Sequence, residues 1–180
     1  EVAATWVNFH ESHRAVAVDL HQPSLDWCAR RQRPLLGARF TDLHLLCADV
    51  LQVAPPLIPR VDIVAATNFS TFVFKTRALL RRYFQVARQS LRPGGILVTD
   101  AYGGPDALRA MTDTHRVRPP KRTGVPAFTY LWQQVSYNPI THEVDNRIHF
   151  RFDDGRVIRN AFRYDWRLWS LLELREVMLE

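Results

Sequence analysis

The stretch LRPGGILVTDAYGG, residues 91–104, leaves a helical run and passes through Pro93, Gly94 and Gly95. It then rises through Ile96, Leu97 and Val98 to stop on Asp100, with Tyr102, Gly103 and Gly104 behind it. In an open α/β sheet, ligands bind at the carboxyl ends of the parallel strands. A strand that stops on a carboxylate and loosens at once into glycines therefore marks a candidate site edge. Its weight depends on what the other strands end on.

Working backwards, FVFKTRALLRRYFQVARQSL (72–91) predicts a helix. Leu80, Tyr83, Phe84, Ala87 and Leu91 make an apolar stripe at helical spacing against basic outer positions, and Pro93-Gly94-Gly95 reads as its stop. Three apolar runs precede it, each a predicted strand: RAVAVDL (14–20), TDLHLLCADV (41–50) and VDIVAATN (61–68). Helices are expected over 3–12 and over 23–32, the latter opening on Pro23 and Ser24. Continuous apolar strands alternating with helices argue for a parallel sheet covered on both faces.

After Gly104 the pattern changes. GPDALRAMTD reads as a short helix and RVRPPKRTGVP (116–126) as a loop. Residues 128–137, 143–152 and 156–166 alternate apolar and polar, with turn residues between them. The expected fold class is α/β: a doubly wound, mostly parallel sheet followed by a three-stranded antiparallel meander. Residues 1–112 form the first part, and 113–180 form the antiparallel insert or lid and the start of a last helix.

The chain has 180 residues, 47% of them hydrophobic and 23% charged, the balance of a soluble globular protein. No apolar run approaches the roughly 18 residues of a membrane span, so no membrane partner is expected. Cys28 and Cys47 lack zinc or redox spacing, which points to a reduced, cytoplasmic (intracellular) setting and to no metal. The net charge of +6 comes from solvated helix faces and a basic loop, a reading favoured over nucleic-acid binding. Both ends read as helix without start or stop signals, so a longer parent chain is expected.

The four predicted parallel strands end on Asp19, Asp49, Asn68 and Asp100. A lone Asp at such a place is commonly a helix cap; four polar ends along one edge point to a ligand. A carboxylate at one strand end can accept from both hydroxyls of a ribose, and one on the next strand from an adenine amino group. Together Asp19 and Asp49 suit an adenosine.

In order and separation, VAVDLHQPSLDWCARR, LLCADVLQV, VDIVAATNFS and LRPGGILVTD resemble a class I S-adenosylmethionine-dependent methyltransferase, a Rossmann-like fold. The resemblance covers residues 1 to about 104 and continues more weakly to the end. It implies S-adenosyl-L-methionine as cofactor, with Asp19 and its neighbour Leu20 at the ribose and Asp49 and Val50 at the adenine. Asn68 and Phe69 fall at the methionine moiety. Ser70, Asp100, Tyr102 and Gly103 fall around an acceptor pocket, which Tyr130 and Trp132 are candidates to line. The family's first strand and glycine-rich loop would precede Glu1.

The expected function is methyl transfer to a small-molecule acceptor. No catalytic residue is assigned; His142 and His149 are weighed as bases and read as structural. Two alternatives stay open: an NAD-dependent oxidoreductase, because Asp19 equally suits that ribose, and a non-catalytic binding domain. A homodimer could form by pairing at the antiparallel sheet's edge.

Overall fold

The computed structural model describes residues 1–180, the side chain of Arg122 excepted. The chain divides into two compact units, one of residues 1–64 and 82–97, the other of 65–81 and 98–180.

The first unit opens with α1 (Val2–Phe9), β1 (Ala15–Asp19), α2 (Gln22–Leu36) and β2 (Leu43–Cys47). β1 and β2 run parallel, in register from Ala15 opposite Leu43 to Asp19 opposite Cys47. Ala4, Val7, Leu36 and Leu43 form a buried cluster, against which Ala15, Ala17, Phe40 and Leu45 pack. Arg39 stitches the connection between α1 and β1 to this core. Its guanidinium donates to the His10 carbonyl at 2.8 Å and the His13 carbonyl at 2.9 Å, while Nε meets Asp42 at 3.1 Å.

β3 (Val61–Ala66) and β4 (Leu91–Thr99) form a second two-stranded sheet. Between them α3 (Arg77–Ser90) is shorter than the expected 72–91, because Ser70–Val73 form a 3₁₀ turn and Leu91 opens β4; it buries Leu80, Tyr83, Phe84 and Ala87 of the expected stripe, and Val86 besides. Two more expectations change here. Pro93-Gly94-Gly95 does not end the helix, because α3 stops at Ser90 and all three residues lie inside β4. Nor are these strands covered on both faces, since Ile63, Ile96 and Val98 are exposed. Gly94 has φ +79°, which L side chains rarely adopt. A Cβ on Gly95 would lie 3.0 Å from the carbonyl oxygens of Arg92 and Asp62 and from the Leu91 side chain. The Pro-Gly-Gly run thus bends one strand closely past its neighbour.

The second unit is built on a four-stranded antiparallel sheet in the order β5 (Met111–Val117), β6 (Phe128–Tyr137), β7 (Glu143–Phe152), β8 (Val157–Arg167). The three-stranded meander expected from the sequence is therefore one strand short. β5 takes the place of the expected helix and loop; MTDTHRV carries no strand period because it lacks a buried side, all of its interior residues being exposed. It is held by pairing with β6 from Met111–Gln134 to Val117–Phe128, and the helical residues just ahead of it are the 3₁₀ turn Pro105–Leu108.

The sheet has two unlike faces. Opposed residues on neighbouring antiparallel strands point the same way, so the rows Gln134–Asn146–Tyr164 and Trp132–Ile148–Phe162 share one face. On the other, Asp145 lies between Arg147 at 2.7 Å and Arg163 at 3.3 Å. α4 (Leu171–Leu179) then starts on a capping box: Ser170 Oγ accepts from the Glu173 N–H at 3.1 Å, and the Glu173 carboxylate accepts from the Ser170 N–H at 2.9 Å. The Trp169 indole donates to the Phe74 carbonyl at 2.9 Å, with the Arg167 guanidinium stacked over its ring.

Two stability predictions follow from these contacts. Gly95→Ala should cost about 1–3 kcal/mol from overpacking against fixed carbonyls. Gly103→Ala, with nothing within 4 Å of its Cβ, should stay within about 0.5 kcal/mol in the same urea titration. The Arg147 hydrogen bond holds the Asp145 carboxyl below its ordinary range, with Arg163 adding to it. Its contribution is in place above about pH 4 and is lost as pH falls through the depressed value. Asp145→Asn should therefore be less stable than the parent at neutral pH, with the gap closing on acidification, as read by melting temperature against pH.

Candidate functional site

In the first unit, the parallel register brings Asp19 and the residues just past Cys47 to the same carboxyl edge of β1 and β2. Asp49 itself lies beyond the end of β2. Asp19 Oδ1 accepts the His21 N–H at 2.8 Å, and Asp49 Oδ1 accepts the Leu51 N–H at 2.9 Å. Both are Asx turns, in which a carboxylate is fixed by the backbone two residues on. In each, Oδ2 meets no protein donor among the described residues. An ionised carboxylate has about four lone-pair sites, so each Asp presents an oriented acceptor with capacity left over. Leu20 is 71% exposed, its carbonyl accepting from Cys47 Sγ at 3.6 Å, and Val50 is half-buried beside Asp49.

In the second unit, the loop after β3 carries two consecutive non-glycine residues in the left-handed region, Asn68 at φ 61° and Phe69 at φ 57°. Such a pair is strained unless its surroundings hold it. Asp100 does so: Oδ2 accepts the Asn68 N–H at 2.9 Å and Oδ1 the Phe69 N–H at 2.7 Å. Ser70 Oγ donates to the Thr67 carbonyl within the same turn. Asp100 thus acts here by shaping the loop.

That loop delivers Phe69 to an aromatic cluster. The Phe69 ring meets Tyr102 edge-on at 4.9 Å, and Phe72, fully buried, lies 5.5 Å from Tyr102. From the sheet, Trp132 meets Tyr102 at 6.3 Å, and Trp166 packs on Tyr164 at 4.3 Å. Burial raises the Tyr102 phenol above its ordinary value against the opposing effect of the Asn146 hydrogen bond, so it is a neutral hydroxyl at physiological pH. Tyr130 lies apart, two positions along β6, packed on His115 and Phe150. Gly103 is exposed and touches nothing that a Cβ would meet.

The structure therefore groups Asn68, Phe69, Ser70, Asp100, Tyr102 and Trp132 in one unit, and Asp19, Leu20, Asp49 and Val50 in the other. Sequence reasoning missed Asn146, whose Nδ2 donates to the Tyr102 hydroxyl at 2.8 Å. The signal was present: in EVDNRIHF, Asn146 sits at the inward parity between Val144 and Ile148. It also missed Gln134, likewise buried. The two histidines are accounted for otherwise. His149 Nδ1 accepts the Asn160 N–H at 2.9 Å, which places its proton on Nε2, 3.0 Å from Gln133 Oε1. His142 has φ 60° in the β6–β7 turn and bonds through its backbone to Asn138.

No protein-family model and no curated protein matches this chain. Solved structures do. The CcbJ methyltransferase from Streptomyces caelestis superposes with a TM-score of 0.73 at 15% identity, covering 99% of this chain and 70% of its own. An S-adenosylmethionine-dependent methyltransferase from Clostridium acetobutylicum gives 0.66 at 16% identity, covering 92% and 62%. The sugar N-methyltransferase KedS8 from Streptoalloteichus sp. gives 0.62 at 16%, covering 92% and 61%. This chain spans 61–70% of the length of these three proteins. At these identities the likeness establishes the fold: the chain has the class I methyltransferase fold that the sequence resemblance implied.

The loop geometry yields a prediction. Asp100→Ala removes two charge-assisted bonds from a strained turn and should lower stability by about 1–3 kcal/mol. Asp100→Asn keeps one acceptor oxygen and should recover part of it, read as urea midpoints.

Proposed function

We propose that this protein is an S-adenosylmethionine-dependent methyltransferase acting on a small-molecule acceptor. The observation that carries it is the pair of carboxylates fixed by their own Asx turns, Asp19 at the end of β1 and Asp49 just past the end of the adjacent parallel β2, each with an acceptor oxygen free among the described residues. Asp19 suits a ribose diol, with Leu20 beside it. Asp49 suits the adenine amino group, with Val50 against the ring. Asn68 and Phe69 are assigned to the methionine moiety. In this reading β1–β4 belong to one doubly wound, mostly parallel sheet. Residues 1–112 are the cofactor-binding core, and 113–180 supply the insert that recognises the acceptor.

The cofactor, when bound, supplies a methyl group already activated on a sulfonium. What the protein must add is alignment and exclusion of water. The second unit has the means for this. Its aromatic faces can pack on an apolar ring face and attract a positive sulfonium, and the neutral Tyr102 hydroxyl can donate a hydrogen bond. An amine acceptor fits better than an alcohol. It needs only to arrive uncharged, whereas an alcohol needs a base, and both His149 nitrogens are engaged. The sugar N-methyltransferase among the fold neighbours supports an amino sugar or a similar saturated ring as the acceptor class; Ser70, Gly103, Tyr130 and Trp132 are assigned to its surroundings. The NAD-dependent alternative rests on Asp19 alone, and the fold likeness favours methyl transfer.

Calorimetric titration of the full-length protein with S-adenosylhomocysteine and with NAD tests this. The homocysteine product should bind and NAD should not. Asp19→Ala should weaken binding about 10- to 100-fold, the worth of a hydrogen bond to a charged group. Silence with both ligands from folded protein would sink the enzyme readings and leave a binding domain.

A further inference from the structure

Two amides lie side by side on the aromatic face of the antiparallel sheet, Gln134 on β6 directly opposite Asn146 on β7. Both are buried, Asn146 completely. Their hydrogen bonding differs. Gln134 Nε2 donates to the Asp106 carbonyl at 2.6 Å and the Arg109 carbonyl at 2.9 Å, and its Oε1 accepts the Trp132 indole N–H at 3.4 Å. That amide is used up in fastening the 3₁₀ turn to the sheet. Asn146 Nδ2 donates to the Tyr102 hydroxyl, but its Oδ1 is buried with no donor.

Buried carbonyl oxygens are nearly always paired, because an unpaired one forfeits its hydration for nothing. Packing alone does not ask for an amide here, since Val144 and Ile148 fill the same face two residues to either side. The phenol beside it is half of the same arrangement. By accepting from Asn146, the Tyr102 oxygen keeps its own O–H free to donate, so the pair offers one acceptor and one donor. The rings about Tyr102 are Phe69, Phe72, Trp132 and Trp166. Apolar walls with a few fixed polar groups are the makeup of small-molecule sites.

Building on the methyltransferase reading, we infer that Asn146 and Tyr102 are the pair that selects the acceptor, Asn146 Oδ1 taking a hydrogen bond from an N–H on a small saturated ring packed against the aromatic walls. A neutral carbonyl suits that task. It holds an uncharged amine by one N–H and leaves the nitrogen lone pair free, whereas a carboxylate would favour the ammonium form, which has none.

The test uses the full-length protein saturated with S-adenosylhomocysteine. Two probes differ at one substituent: methyl 3-amino-3-deoxyglucopyranoside and its 3-deoxy analogue, with affinities read by calorimetry. The amino probe should bind about tenfold tighter than the deoxy one, the worth of one hydrogen bond to a buried group. Asn146→Leu should erase that difference while leaving the affinity for S-adenosylhomocysteine within about twofold of the parent. Tyr102→Phe, which preserves ring packing, should reduce it as well and carries the test should the leucine variant not fold. Discrimination retained in a folded variant, or no binding of either probe by the cofactor-saturated parent, overturns the inference. A parent that fails to bind S-adenosylhomocysteine instead removes the methyltransferase reading, and this one with it.

Discussion

The second unit is organised by a single carboxylate. Asp100 accepts two consecutive backbone N–H groups, those of Asn68 and Phe69, and so stabilises two left-handed residues in succession. Without a fixed anion, nothing in the composition of Thr67-Asn68-Phe69 would choose that turn over an extended continuation of β3. Neither residue is glycine, and only Asn has any local tolerance for positive φ. With it, the strand stops at Ala66, the Phe69 ring turns onto Tyr102, and the 3₁₀ turn that follows buries Thr71 and Phe72. The residue whose position at a strand end first suggested a ligand contact has both of its oxygens on the protein's own backbone.

A similar economy holds on the sheet. Its two faces divide the work, one carrying the ion pairs of Asp145 with Arg147 and Arg163, the other the aromatic rings. The charged face is half-buried around Asp145, and its ion pairs contribute modestly. The aromatic face holds the large contact areas, and on it stand two buried amides with different duties. Gln134 closes its hydrogen bonds on the neighbouring turn; Asn146 leaves one end open. That contrast within one register pair separates a structural amide from one with spare capacity better than burial alone could.

Much of this was legible in the sequence where a period could be read. The last three strands of the antiparallel sheet alternate in sequence, and Phe128–Tyr137 and Glu143–Phe152 coincide with their expected bounds. The helix over Arg77–Ser90 followed from its apolar stripe. The errors have physical causes. β5 has no buried side to write a period into its sequence, and only pairing with β6 makes it a strand. Pro-Gly-Gly was read by local propensity as a helix stop, yet its glycines serve a bend and a close approach inside β4. Among the site residues, Asp19 and Asp49 could be placed because strand ends are visible in a sequence. Asn146 could be placed on the inward face by its parity but given no role, because that depends on Tyr102, 44 residues away, and on what Gln134 beside it is doing.

The geometry also constrains what kind of catalysis the proposed function can use. General base catalysis needs a nitrogen or carboxylate free to turn to the acceptor. Asp100 is held in place by the Asn68 and Phe69 amides of the turn it shapes, and His149 has one ring nitrogen on the Asn160 N–H and the other on Gln133. Tyr102, kept protonated by burial, is a donor at neutral pH and so cannot serve as a base there. What the surroundings of Tyr102 offer is shape: fixed rings, the Tyr102 hydroxyl and the open Asn146 carbonyl. That inventory suits a reaction whose driving force arrives with the donor molecule and whose nucleophile needs orientation more than activation. Methyl transfer to a neutral amine has those requirements, and dehydrogenation of an alcohol, which must dispose of a proton, does not.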